Sequence, residues 1–130
     1  MEVQHSASRI AAQAMRAQSD RLRHVSENIA NADTPGYRRK LVSFDAVMQG
    51  GRSTGLIRAS APFLDPTEPA QIFDPAHPLA DANGFYRGSN VDLVTEIADA
   101  REAGRSYEAN LRIFEQSRQM SSALLDLLRR

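Results

Sequence analysis

The chain carries two stretches with helical heptad spacing, one near each end, and all six prolines lie between them. In a heptad pattern the apolar positions recur after alternating steps of three and four residues, which places them on one stripe of an α-helix. The first stripe comprises Ala11, Met15, Gln18, Leu22, Val25, Ile29 and Ala32, and the second comprises Tyr107, Leu111, Phe114, Arg118, Ser121, Leu125 and Leu128. We therefore predict a mainly α-helical protein whose N- and C-terminal helices pair as an antiparallel coiled coil.

Turn and capping residues set the expected bounds of the two helices. The first helix should run from about Ser6 to Ala32. In the following Thr34-Pro35-Gly36, proline lacks the amide donor that a helix needs and glycine favours a turn. The second should begin near residue 90, since Ser89-Asn90-Val91-Asp92 resembles a capping box before an apolar run. We therefore predict one terminal-helix domain made of residues 1–36 and 89–130, with residues 37–88 inserted into it.

The middle of the chain is rich in proline, glycine, serine and aspartate. Short apolar runs at Leu41 to Phe44, Leu56-Ile57 and Gln71 to Phe73 predict a few short strands. Prolines at positions 62, 66 and 69 confine that stretch to loops or sheet edges, because proline cannot donate to a strand ladder. The predicted insert is therefore a small β-rich segment of short strands and loops.

The C-terminal helix is apolar on a second side. At about 100° per residue, Ile113, Met120, Leu124 and Leu127 fall opposite Leu111 and its neighbours. A helix that is apolar on two sides is normally buried on both, and each such side chain contributes about 1.5–3 kcal/mol when buried. We therefore predict packing against other subunits, with folding of the middle segment over this side as the alternative. The predicted assembly interface comprises Met15, Leu22, Val25, Ile29, Leu111, Ile113, Phe114, Met120, Leu124, Leu125, Leu127 and Leu128.

A row of arginines marks the polar side of the N-terminal helix. Arg9, Arg16 and Arg23 are one heptad apart, and Asp20 and Glu27 lie four residues after the last two. This pattern predicts a solvated helix face with weak i,i+4 ion pairs. The alternative is contact with an acidic neighbour in an assembly.

Composition excludes several classes of function. Sixteen basic and sixteen acidic side chains balance, so no general attraction to nucleic acid or anionic membrane follows. The absence of cysteine removes disulfides and thiolate chemistry. No apolar run reaches the roughly 20 residues needed to span a bilayer, and the N-terminus lacks the apolar core of a secretory signal. By these rules the chain should be cytoplasmic, unless a route without a cleaved signal exports it.

No pattern of residues points to catalysis or to a cofactor. His5, His24 and His77 are too scattered to form a metal site. Residues 81–84 resemble part of a calcium loop, but the required ligand positions hold Leu79 and Asn90, so we predict a tight turn instead. There is no nucleophile motif and no glycine-rich phosphate loop. We predict no enzymatic activity, no metal, no cofactor and no small-molecule substrate.

Four blocks of sequence carry a resemblance to a known family. Residues Ser26 to Tyr37 read SENIANADTPGY, which closely resembles the N-terminal signature of the axial proteins of the bacterial flagellum. The match is narrowed towards the proximal rod subunits by Phe73 to Phe85 (FDPAHPLADANGF), Ser89 to Val94 (SNVDLV) and Arg105 to Asn110 (RSYEAN). The signature residues are Asn28, Ala30, Asn31, Thr34, Pro35, Gly36, Tyr37, Pro78, Asp81, Asn83, Gly84, Asn90, Val91, Asp92, Tyr107 and Asn110.

The resemblance implies a structural subunit of the proximal rod in the flagellar basal body, spanning the periplasm. Such subunits polymerise with copies of themselves and with other rod proteins into a hollow helical drive shaft, which transmits torque and passes exported subunits. The implied partners also include the rod adaptor at the inner-membrane ring and the flagellar type III export apparatus. The resemblance further implies export without a cleaved signal peptide, a terminal-helix domain lining the inside of the tube, and a β-rich segment outside it.

Two readings of these blocks remain open. Many chains that resemble this narrower group of proximal rod subunits carry an insertion between the Asn-Ala part of the first block and its tyrosine. Here Thr34-Pro35-Gly36 joins these two parts directly. The second of the two proximal rod proteins is therefore an alternative, and a cytoplasmic coiled-coil regulator or chaperone is an alternative of another class. Phe44 and Met48 resemble a motif with which early flagellar substrates engage the export gate, or else are simply core residues of the insert.

Overall fold

The structure, a computed structural model, describes residues 2–130, with side chains from Ser6 onward. Two long helices, α1 (Glu2–Ala30) and α2 (Leu93–Leu128), flank the middle segment and pack against each other. Between them lie the strands β1 (Lys40–Leu41), β2 (Phe44–Gln49), β3 (Arg52–Ala59), β4 (Phe63–Leu64), β5 (Gln71–Phe73) and β6 (Phe85–Arg87). Neither of the described helices is long and apolar enough to cross a membrane. The predicted arrangement of two terminal helices around a middle segment of short strands is confirmed.

Both helix ends near the middle segment have local causes. The backbone leaves α1 through a series of turns and reaches Gly36, whose φ of 74° lies in the left-handed region that glycine adopts without strain. Helix α2 is capped by Asp92, which has an extended backbone and whose side chain accepts a hydrogen bond from the Val94 amide. Helix α1 therefore ends at Ala30 and helix α2 begins at Leu93, and both positions lie slightly inside the predicted bounds.

The strands form three separate antiparallel pairs, β1 with β4, β2 with β3 and β5 with β6. The β2–β3 hairpin turns at Gly50 and Gly51, which both have positive φ, and its register is irregular between Ala46 and Met48. The sequence indicated parts of β1, β2, β3 and β5. Strands β4 and β6 were missed, because they are only two and three residues long and too short to show an alternating pattern.

Helix α1 lies between α2 and the hairpin. Its contacts with β3 include Ile10, which is so close to Gly55 that an added Cβ at Gly55 would lie 3.1 Å from the Ile10 side chain. The buried hydrophobic residues of the described chain are unusually small: Ala11, Ala14, Ala17, Val25 and Ala103. Small side chains at a contact let two helix backbones approach closely. The buried apolar core is therefore made mainly of alanines on the two helices rather than of large apolar side chains.

This alanine core corrects the predicted contact stripe of α2. The buried side of α2 carries Ala103 and Ser117, while Leu111 and Leu125 stay 36% and 45% exposed. Leu124, predicted on the second apolar side, is half-buried one heptad after Ser117 and therefore lies on the α1 side. The prediction followed the large apolar residues, whereas close packing places small ones at the centre of the contact. The large residues consequently lie on both shoulders of the contact stripe.

Candidate assembly site

A polar junction fixes the point where α1 ends and α2 begins. The Asn28 side chain is fully buried, and its amide makes four hydrogen bonds. Nδ2 donates to the Lys40 carbonyl at 3.0 Å and to Glu96 Oε2 at 3.3 Å. Oδ1 accepts from the Tyr37 hydroxyl at 2.9 Å and from the Lys40 amide at 2.8 Å. Asn28 therefore connects Tyr37 and strand β1 to the start of α2, with every polar atom of its amide satisfied.

Arg39 lies at the centre of this junction and contacts three carboxylates. Its Nε donates to Glu96 at 2.6 Å, NH2 donates to Asp99 at 3.1 Å, and NH1 donates to Asp65 at 3.3 Å. Glu96 is fully buried, and only 13% of the Arg39 side chain is exposed. We call these four residues the Arg39 cluster. Because Glu96 and Asp99 belong to α2 while Arg39 and Asp65 belong to the middle segment, the cluster joins the insert to the helix pair.

The cluster is electrostatically favourable as folded. Burial alone would lower the pKa of Arg39, but its hydrogen bond to Glu96 and the nearby carboxylates raise the pKa above its usual value. Hydrogen bonds from Thr67 hold the pKa of Asp65 below its usual value. Next to the cluster, Lys40 lowers the pKa of Glu27 through a 2.6 Å ion pair. Arg39, Asp65 and Glu27 are therefore charged at neutral pH.

Other signature residues hold the same junction from the side of α2. Asn90 Oδ1 accepts from the Arg39 amide at 2.6 Å, and Asn90 Nδ2 donates to the carbonyls of Asp65 and Thr67. The Ser89 hydroxyl donates to the Ala32 carbonyl. The Gly36 amide lies within hydrogen-bond distance of the Arg87 and Gly88 carbonyls. The first and third sequence blocks thus meet in space.

The remaining signature residues shape turns or lie on α2. Asn31 Nδ2 donates to the Glu27 carbonyl, and the Thr34 hydroxyl donates to Asn31 Oδ1. Asp81 Oδ1 accepts from the amides of Asn83 and Phe85, which gives the tight turn predicted there. Ala30, Pro35 and Pro78 are exposed, Val91 is half-buried, Gly84 is buried with a positive φ, and Tyr107 and Asn110 lie on α2.

The arginine row of α1 pairs differently from the prediction. Arg23 contacts Asp20, three residues earlier, at 3.5 Å instead of the carboxylate four residues later. Glu27 is drawn instead to Lys40, because the chain reversal after α1 brings that ammonium closer. Arg9, Arg16 and Arg23 are all exposed, as expected for a solvated face.

A row of exposed residues follows one shoulder of α2. The row comprises Ala109, Ile113, Gln116, Met120, Ala123 and Leu127, which recur in alternating steps of four and three. Every member is exposed, and the large apolar members Ile113, Met120 and Leu127 are 48%, 50% and 64% exposed. We call this row the outer ridge. The predicted alternative, in which the middle segment folds over these residues, does not occur, because the β2–β3 hairpin packs on α1.

The other predicted interface residues are distributed between core and surface. Val25 is buried, and Met15, Leu22 and Phe114 are half-buried. Ile29, Leu111, Leu125 and Leu128 are exposed, and so are Phe44 and Met48 on β2. Among residues with described side chains, no group of three or more histidine or acidic residues could hold a metal ion. Among the predicted interface residues only Val25 is therefore buried, and most of those on α2 are exposed.

Two family models match the chain in the parts that hold these features. Residues 9–38 match the model described as flagella basal body rod protein. Residues 82–127 match the model described as flagellar basal body rod FlgEFG protein C-terminal. These segments contain Asn28, the turns after α1 as far as Arg38, the Asp92 cap and the outer ridge. The class of protein is thus a flagellar basal-body rod protein.

Curated relatives narrow this class. The flagellar basal-body rod protein FlgC of Agrobacterium fabrum is 40% identical over 99% of this chain and 98% of the relative. The FlgC proteins of Yersinia enterocolitica and Salmonella typhimurium are 37% and 35% identical, each over 91% of this chain and 92% of the relative. The chain belongs to the FlgC family of flagellar basal-body rod proteins.

Family membership answers the alternatives that the sequence left open. The chain is a structural subunit of the basal-body rod, and its family is one of structural proteins rather than enzymes. The relatives favour FlgC over the second proximal rod protein, FlgB, and a rod subunit over a cytoplasmic regulator or chaperone.

Proposed function

We propose that the chain is a proximal rod subunit that polymerises through its terminal helices into a hollow helical shaft. The shaft transmits torque and passes exported subunits through its centre. The observation that supports this proposal is the outer ridge, a heptad row of uncharged residues that stays exposed although α1 already covers the other side of α2. An amphipathic row of this kind is normally covered by another helix.

The proposed polymerising domain consists of residues 1–36 and 89–130, with residues 37–88 packed outside it. In this domain α1 and α2 form an antiparallel coiled coil. Contacts at both ends support this direction: Asn28 and Arg21, in the second half of α1, contact Glu96 and Asp99 at the start of α2. Ser8, near the start of α1, lines a cleft with Ser121 and Leu125 near the end of α2.

The proposed partners are copies of this chain, other rod proteins and the rod adaptor at the inner-membrane ring. The chain reaches them in the periplasm through the flagellar type III export apparatus, without a cleaved signal peptide. We propose no catalytic, metal-binding or cofactor-binding role and no nucleic-acid partner. Membership of a structural rod family supports that assignment.

Deletion of the gene from the source bacterium tests the proposed function. We expect cryo-electron tomograms to show inner-membrane rings without a rod or hook, because a missing subunit interrupts the polymer at its own position. Reintroduction of the intact chain should restore both structures. Complete rods and hooks in the deletion strain would contradict the proposal.

Export is tested at Phe44 and Met48, which are 37% and 58% exposed on β2. Replacing both by alanine should lower the amount of secreted chain severalfold while its cytoplasmic level stays the same, because an export receptor needs exposed apolar side chains. Immunoblots of both fractions measure this. Phe63→Ala with Leu64→Ala, an exposed apolar pair on β4, is the matched control. Normal secretion by the Phe44 and Met48 variant would assign these residues to the insert rather than to export.

A further inference from the structure

The tight turn at residues 81–84 contains the one Asn-Gly pair of the chain, Asn83 and Gly84. Asn83 is exposed, and among residues 6–130 it enters the hydrogen-bond network through its backbone amide and not through its side chain. The other asparagines, at positions 28, 31, 90 and 110, precede isoleucine, alanine, valine and leucine. Glycine has no Cβ, so Asn83 is the asparagine whose side chain the next backbone nitrogen can approach with least hindrance.

An Asn-Gly pair can undergo a defined intramolecular reaction. Once hydroxide removes the proton from the Gly84 amide, the nitrogen can attack Cγ of Asn83. The new N–C bond closes a succinimide ring, and the side-chain nitrogen leaves as ammonia. Water then opens the ring at either of its carbonyls, which gives aspartate or isoaspartate. Asparagine is accordingly counted among the thermolabile residues.

The folded turn holds the attacking nitrogen in a hydrogen bond. The Gly84 amide donates to the Asp81 carbonyl at 3.0 Å, and the Gly84 carbonyl accepts from the Asp74 amide at 2.9 Å. Asp81 Oδ1 accepts in addition from the amides of Asn83 and Phe85. The proton that must leave and the peptide that must rotate are both held by these bonds. Ring closure therefore requires the turn to open first.

The packing around Gly84 leaves no room for a longer backbone. Gly84 is buried with a φ of 85°, and an added Cβ would lie 2.9 Å from both Phe73 and Pro75. The rings of Phe73 and Phe85, which pair across β5 and β6, are 5.1 Å apart. Isoaspartate would route the main chain through the former Asn83 side chain and lengthen it by one carbon atom beside these contacts. Aspartate, the other product, leaves the backbone unchanged.

We propose that Asn83 is a site of spontaneous deamidation that is open in the unfolded chain and closed by folding of the turn at residues 81–84. The extent of modification then reports how long the chain has been unfolded, and the folded subunit keeps its asparagine. Isoaspartate formed before folding prevents the β5–β6 pair from forming, whereas aspartate does not. This inference is independent of the proposed function, because it concerns the chemistry of the chain itself.

Peptide mass spectrometry of the purified full chain tests the proposal. Two samples are kept at the same mildly alkaline pH and temperature, one native and one unfolded in guanidinium chloride. Conversion of Asn83 should be at least about tenfold slower in the native sample, because each event there needs an opening of the turn. Equal rates in the two samples would overturn the proposed protection. Faster conversion of any other asparagine in the unfolded sample would overturn the assignment of the site.

Two variants show whether the turn itself gives the protection. Asp81→Ala removes the carboxylate that holds the amides of Asn83 and Phe85, and should speed native conversion severalfold while circular dichroism still shows the helices. Asp45→Ala, at an exposed aspartate on β2, is the matched control and should leave the rate unchanged. A native rate in Asp81→Ala equal to that of the parent chain would overturn the protective role of the turn.

The structural effect of the two products is tested after refolding. Limited proteolysis should cut isoaspartate-bearing chains within residues 71–87 and should spare chains that carry aspartate. The variant Asn83→Asp, which reproduces the second product, should resist the protease as the parent chain does. Equal resistance of the isoaspartate fraction, or cleavage of Asn83→Asp at this position, would overturn the proposed difference between the products.

Discussion

Cells whose only copy of the chain carries Met120→Asp should be non-motile and should lack completed rods, although the chain is made and exported. Met120 is 50% exposed in the isolated subunit, so a carboxylate there can remain hydrated and the fold should survive. In a packed interface the same carboxylate would be desolvated without a partner, at a cost of several kcal/mol per contact. Every subunit of a polymer repeats that cost, so assembly should fail completely.

The matched control is Gln119→Asp, which introduces the same carboxylate one residue earlier on an exposed side of α2 outside the ridge. These cells should swim, since an exposed charge there costs little. Swimming assays, together with immunoblots of purified basal bodies and culture supernatants, separate failed assembly from failed export. Normal rods in the Met120→Asp strain would show that the ridge is not an interface.

Arg39→Ala should lower the free energy of unfolding by about 3–5 kcal/mol, because it removes one member of a buried ion pair. Glu96 is fully buried, and without the guanidinium the one side-chain partner left to it from Ser6 onward is Asn28. Asp65 and Asp99 would lose an ion pair as well. Urea unfolding of the purified chain, followed by circular dichroism, measures the change.

Arg38→Ala is the neighbouring control. Arg38 contacts the exposed Glu68 and loop carbonyls, and exposed ion pairs contribute only about 0–1 kcal/mol. A further variant, Arg39→Met with Glu96→Leu, should recover much of the loss, because replacing both partners leaves no buried charge unpaired. Equal destabilisation by Arg39→Ala and Arg38→Ala would contradict a central structural role for Arg39.

The features with local causes could be predicted from the sequence. Pro35 and Gly36 indicated the end of α1, and Asp92 belonged to the predicted cap of α2, because breaking and capping depend on a few adjacent residues. The β2–β3 hairpin was only partly predicted. Its strands carry polar residues such as Asp45, Gln49 and Arg52, so neither shows a regular apolar alternation.

The features that depend on distant contacts could not be predicted. Arg39 and Glu96 lie 57 residues apart in the chain, and charged side chains near a helix start are usually solvated. Only the fold brings them together. Asn28, Tyr37 and Asn90 were identified through the family resemblance, without their hydrogen-bond roles. The shift of Leu124 to the α1 side had a signal in the sequence, the heptad series Ala103, Asn110 and Ser117, which large apolar residues nearby obscured.

The alanine core has a mechanical consequence for a shaft under load. A large side chain at a helix contact can change rotamer and let one helix slide past the other, whereas alanine has no side-chain rotamers to change. The buried alanines Ala11, Ala14, Ala17 and Ala103 therefore leave α1 and α2 few buried side chains that could rearrange under shear. A shear force applied to one helix should therefore be transmitted to the other with little relative displacement. Each subunit should respond to twisting as a single rigid body.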